Sequence, residues 1–140
     1  MRWQLAALFG AGFLLWNTAC ETLGPDSNSS PDAERSHALP IELNRTIIDD
    51  VSCIGGDKTD WKYFSITHPM RVTVTFAFDD PAAGGTVVIH HPTGEIMKVV
   101  KSIPGSRTTQ EFDAVQGYYY LQIYCQAYKS EYTVEVTTPQ

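Results

Sequence analysis

Gly117-Tyr118-Tyr119-Tyr120-Leu121-Gln122-Ile123-Tyr124-Cys125 is the stretch that decides the fold. It opens on a turn glycine and then runs through β-branched and aromatic residues, with no proline and no charge. Side chains of a strand alternate between faces. Tyr119, Leu121, Ile123 and Cys125 therefore share one face, which reads as core. Tyr118, Tyr120, Gln122 and Tyr124 share the other, which is too aromatic for an ordinary wet face.

Outward from this strand, the chain reads as more short strands between turn signals. Arg71–Phe78 alternates most cleanly, with Val72, Val74, Phe76 and Phe78 inward. Trp61–Thr67 sets Trp61, Tyr63 and Ser65 against Lys62, Phe64 and Ile66, and His68-Pro69 ends it. Thr86–His91 and Glu95–Lys101 flank Pro92-Thr93-Gly94 and predict a hairpin. Thr108–Val115 and Glu131–Val136 follow the same pattern, and short strands are expected at Ile41–Asn44 and Thr46–Ile48. Asp49–Thr59, with Gly55-Gly56, reads as a loop carrying Cys53. No helical period appears outside the first twenty residues. About eight short strands at regular spacing predict an all-β antiparallel sandwich or jelly roll over residues 41–140.

Ahead of that domain lie two different segments. Arg2 precedes the uncharged, mostly apolar run Leu5–Trp16. A bilayer span needs about 20 residues, so this run suits a signal-peptide apolar region instead. Small residues then lead to Cys20. Residues 1–19 resemble a bacterial lipoprotein signal, although Asn17 stands where that pattern prefers an aliphatic residue. The resemblance implies lipidation of Cys20, which would become the mature N-terminus and anchor the chain by palmitate and related acyl chains. Glu21 after the cysteine, in place of the Asp of the inner-membrane retention signal, implies the outer membrane. Residues 20–40, rich in Ser, Pro, Asp and Asn, read as a flexible tether. Asp26, Asp32, Glu34 and His37 are expected there as solvated bystanders.

The cysteines fit an exported address. With Cys20 acylated, Cys53 and Cys125 remain as an even pair. A bridge between them would stabilise the fold by about 4 kcal/mol in the chain-entropy model, the alternative being two buried thiols.

Three further stretches carry a family resemblance. They are Asp57-Lys58-Thr59-Asp60-Trp61-Lys62-Tyr63-Phe64-Ser65-Ile66, Gly117–Ile123, and Ser130-Glu131-Tyr132-Thr133-Val134-Glu135-Val136. In this order and spacing they resemble the bacterial pre-peptidase C-terminal domain. That family shows an acidic turn before an aromatic strand, a Gly-x-Tyr-Tyr strand and a closing Ser-x-Tyr-Thr strand. It is a small β-sandwich found beside secreted peptidases, with the collagen-binding domains of clostridial collagenases among its relatives. The resemblance implies a non-catalytic accessory domain.

Chemistry-bearing motifs are sparse. The formal charge of −6 gives no basic footprint for nucleic acid. Neither a Gly-x-Ser-x-Gly elbow nor a His-Glu-x-x-His helix occurs, so an enzyme is not expected. His90 and His91 are strand neighbours and point to opposite faces, so they do not readily share an ion. Asp49-Asp50, Asp57/Asp60 and Asp79-Asp80 offer the hard oxygens that calcium prefers, without EF-hand spacing. Paired aspartates usually form turns, so no cofactor is expected, with calcium as the alternative. Tyrosine combines a large rigid area with a hydroxyl. Tyr118, Tyr120, Tyr124 and Tyr128 are therefore the candidate binding residues, for an envelope protein or an extracellular polymer. The alternatives are a structural subunit of an envelope secretion or motility machine, and an enzyme of unrecognised type.

Overall fold

The computed structural model describes residues 32–140. The leader, Cys20 and the tether up to residue 31 lie outside them. Nine strands make up the described residues, together with a 3-10 turn at Arg35–His37. The strands are β1 (Leu39–Pro40), β2 (Thr46–Ser52), β3 (Thr59–Ile66), β4 (Met70–Phe78), β5 (Gly85–His90), β6 (Ile96–Lys101), β7 (Thr108–Ala114), β8 (Gly117–Cys125) and β9 (Lys129–Thr137). One sheet has the order β1-β3-β8-β5-β6 and the other β2-β9-β4-β7, packed as a sandwich. All neighbours are antiparallel except β1 and β3.

β8 lies at the centre of its sheet, paired with β3 on one side and β5 on the other. Its inward residues Tyr119, Leu121 and Ile123 are fully buried. They meet Val72, Val74 and Phe76 of β4 and Val134 and Val136 of β9 in one core. Phe64 stacks on Tyr119 with ring centroids 5.4 Å apart, and Phe112 tilts against the same ring at 5.6 Å. The Tyr119 hydroxyl accepts the Val115 N–H at 2.8 Å and donates to the Val115 carbonyl at 3.1 Å. A buried phenol satisfied by backbone just upstream pins the turn into β8, as a tyrosine corner does. At Gly85 a Cβ would fall 2.1 Å from the Phe78 ring, so only glycine lets β5 approach β4 there.

The Cys53–Cys125 disulfide forms, with Cα atoms 6.0 Å apart. It ties the turn after β2 to the end of β8, and so joins the two sheets. The β5–β6 hairpin forms as expected, closed by the Gly94 N–H to the His91 carbonyl.

Three expectations need correction. The first strand lies at Leu39–Pro40 rather than Ile41–Asn44, although the Ile41 N–H still donates to the Tyr63 carbonyl at 2.8 Å. Asp49 and Asp50 belong to β2, not to a loop; Asp49 pairs with Tyr132 of β9. Asp32 is not a solvated linker charge, being wholly buried, and its carbonyl accepts the Trp61 N–H at 2.8 Å. Asp32 thus packs with the sandwich, because the segment preceding β1 runs beside β3.

Candidate functional site

Two unusual clusters sit on opposite sides of β3. The first lies on the outer face of the β1-β3-β8-β5-β6 sheet. Tyr63 of β3 is the register partner of Tyr120 of β8. Its ring lies 5.9 Å from Tyr120 and 6.1 Å from Tyr118, the second contact edge-on. Cross-strand aromatic pairs of this kind hold their rings in fixed orientation. The Arg35 guanidinium lies 4.2 Å from the centroid of Tyr120, in cation–π geometry. Arg35, Ser36, Ala38, Tyr63, Tyr118 and Tyr120 line an open groove of about 400 Å³. Tyr118 is 58% exposed.

The four candidate tyrosines do not form one patch. Tyr118, Tyr120 and Tyr124 share the outer face of β8, and Tyr118 and Tyr120 line the groove. Tyr124 stands further along the strand, opposite Thr59 and Thr86. Tyr128 lies beyond the far end of β8, in a left-handed turn with φ 56°, where its carbonyl accepts the Cys53 N–H. Sequence reading missed Tyr63, which the pairing of two aromatic strands would reveal. It also missed Arg35, whose polar surroundings carried no signal.

His90 and His91 do point to opposite faces. His90 is buried under Trp61, ring centroids 5.0 Å apart, and His91 lies edge-on to Tyr119 at 6.0 Å.

The second cluster is internal. Lys62, only 1% exposed, points into the sandwich from β3. Its Nζ donates to Asp32 Oδ2 at 2.5 Å and to Asp49 Oδ2 at 2.5 Å. Beside them Asp60, also wholly buried, accepts the Tyr132 hydroxyl at 2.6 Å. Asp32, Asp49 and Asp60 bring one carboxylate oxygen each within 4.8 Å of one another. That is the donor type a hard cation would use, and here the Lys62 ammonium supplies positive charge to two of the three. Burial opposes the Lys62 charge, but the hydrogen bonds and negative charges of Asp32 and Asp49 outweigh it and raise its pKa. Burial drives the Asp60 pKa up to about 9, against the Tyr132 hydrogen bond; the Asp32 and Asp49 charges add to the rise and Lys62 opposes it. Asp60 is therefore a neutral acid at pH 7. Burial, followed by the neighbouring carboxylates, also raises the Tyr132 phenol.

The other acidic pairs have ordinary roles. Asp50 carries an ion pair with Lys129 at 2.9 Å. Asp80 shapes its own turn, accepting the Ala82 N–H at 2.8 Å.

No protein-family profile and no curated protein matches the chain. The fold is that of a small two-sheet sandwich. It is similar to the pre-peptidase C-terminal domain of collagenase from Bacillus anthracis, with 28% identity and a TM-score of 0.61 over 78% of this chain and 99% of that one. The described residues thus resemble a pre-peptidase C-terminal domain in their fold. PliG of Aeromonas hydrophila, a periplasmic inhibitor of g-type lysozyme, matches at 9% identity and a TM-score of 0.45, over 73% of this chain and 96% of that one.

Proposed function

We propose that this chain is a lipid-anchored, non-catalytic protein of the bacterial outer membrane. Its sandwich binds an envelope protein or an extracellular polymer through the outer face of β8. The observation that carries the reading is the Tyr63–Tyr118–Tyr120 groove with Arg35 above it. Rigid aromatic area with hydroxyl and guanidinium groups at its rim suits contact with a partner surface. Likeness to a domain of a collagenase supports an accessory role, and the leader resemblance supports an acylated Cys20.

The test is retention. The protein carrying Tyr118→Ser, Tyr120→Ser and Tyr124→Ser together is compared with the wild type for capture of detergent-solubilised envelope proteins and of extracellular polymers from the native host. Loss of capture with an unchanged circular dichroism spectrum supports the reading; equal capture, or collapse of the fold, overturns it. A fixed stoichiometric complex would instead favour a structural subunit of envelope machinery. Metabolic labelling with a palmitate analogue, lost on Cys20→Ala, tests the anchor.

A further inference from the structure

The internal cluster holds a lysine amine, two carboxylates on that amine and a third, neutral acid, all sealed from water. We propose that Lys62 and Asp49 condense to an intramolecular amide, a covalent clamp between the two sheets. An Nζ–Oδ2 contact of 2.5 Å sets the nitrogen in reach of Asp49 Cγ, near the reacting separation of about 3–3.5 Å. The other oxygen, Asp49 Oδ1, already accepts the Asp50 N–H at 2.9 Å. That donor points where negative charge develops when the carbonyl carbon becomes tetrahedral. Lys62 and Asp49 are both nearly inaccessible, so no bulk water competes for the carbon.

The step balances without any co-reactant. One proton moves from the ammonium along its hydrogen bond to Asp49, giving a neutral amine and a neutral acid. Burial, which opposes the ammonium charge, lowers the cost of this transfer, while the carboxylates that raise the Lys62 pKa resist it. The nitrogen lone pair then forms the N–Cγ bond and the carbonyl electrons pass to Oδ1. A second proton leaves nitrogen for Asp32 Oδ2, which sits 2.5 Å from it. Asp60, one of whose oxygens lies within 4.8 Å of an Asp49 oxygen and whose carboxyl burial keeps protonated, is the acid that supplies a proton toward Oδ2. As Oδ1 re-forms its double bond, the Cγ–Oδ2 bond breaks and Oδ2 departs as water. The amide nitrogen keeps one hydrogen, and the charges of ammonium and carboxylate cancel. Asp49 is the electrophile, Asp32 the base and Asp60 the acid.

The position suits a lock. Asp49 lies on β2 of one sheet and Lys62 on β3 of the other. The Cys53–Cys125 bridge joins the same two sheets, four residues beyond Asp49. An amide differs from that bridge in surviving reduction.

The test uses the full chain, purified from cells, reduced, alkylated, denatured and digested with trypsin. The expected product joins Thr46–Lys58 to Thr59–Arg71 through Asp49 and Lys62. Its mass is one water below the sum of the two peptides, and no cleavage occurs after Lys62. Asp49→Ala should abolish this product and restore cleavage. Free Thr46–Lys58 together with cleavage after Lys62 in the folded wild type would overturn the proposal. So would a link from Lys62 to Asp32, which would assign the wrong electrophile. The wild-type digest decides the matter even where a variant fails to fold.

Discussion

β3 and β8 lie side by side in one sheet, yet their inner faces differ in kind. β8 turns Tyr119, Leu121 and Ile123 into the core, and every one is apolar or satisfied by backbone. β3 turns in Asp60 and Lys62 first, beside Ile123 and Leu121, and only then Phe64 and Ile66. Trp61 and Tyr63 face out meanwhile. A strand's inner face is thus not always its apolar one; what the neighbouring elements offer settles it. The inner face of β8 meets apolar side chains, aromatic rings and, at its end, the Cys53 sulfur. The first half of β3 meets a carboxylate from β2, another from the segment before β1, and the Tyr132 hydroxyl. Those partners make a buried ammonium tolerable, since a buried charge without a partner costs several kcal/mol.

Removing that charge should cost the fold most. Lys62→Met keeps the length of the side chain and leaves Asp32 and Asp49 facing each other in the interior. The expected loss is about 3–5 kcal/mol of unfolding free energy, read by urea denaturation. A loss below about 1 kcal/mol would mean that the carboxylates relax toward water and the cluster is no structural element.

Asp60 sharpens the same point through pH. Its ordinary pKa is 3.8, and in the folded protein it is raised to about 9. Between those values the native chain holds a proton that the unfolded chain has released. Stability contributed by this group is complete below 3.8 and falls as pH rises toward 9, by at most about 1.4 kcal/mol per pH unit. Asp60→Asn keeps an oxygen for the Tyr132 hydroxyl and cannot ionise. Melting temperatures measured from pH 5 to pH 8 should fall more steeply for the wild type than for the variant. Parallel curves would show that Asp60 is ionised in the native state.

How much of this was legible follows from the same contrast. β8 and β4 declare their phase in the sequence, because one alternating set is wholly apolar. The sandwich, the disulfide and the hairpin come from such signals. β3 gave two alternating sets, but neither was uniformly apolar, so its faces were separable and its inward side was not. Asp49-Asp50 read as a loop because aspartate is disfavoured in strands. Nothing local announces that Asp49 meets Lys62 of the other sheet. Asp32 was the least legible, since its partner stands 30 residues away and its neighbours have the composition of a linker. The aromatic groove was half legible. Tyr118 and Tyr120 lie in one conspicuous run, whereas Tyr63 joins them only through strand pairing and Arg35 only through the fold of its segment.

The smallest stability effect belongs to the outer side of the comparison, and its smallness is informative. Tyr118 is 58% exposed, and its ring meets Tyr63 edge-on. Its removal deletes no core area and leaves no buried polar group without a partner. Tyr118→Ser alone should change the unfolding free energy by no more than about 0.5 kcal/mol, plus up to about 1 kcal/mol for the lost aromatic pair. Tyr119→Ser, one residue along and facing inward, should cost several times more, because it empties the space between Phe64 and Phe112. Urea denaturation of the two variants side by side measures the asymmetry of the strand directly. Equal losses would mean that the outer tyrosines belong to the fold, and the groove would then be a structural feature rather than a surface kept for a partner.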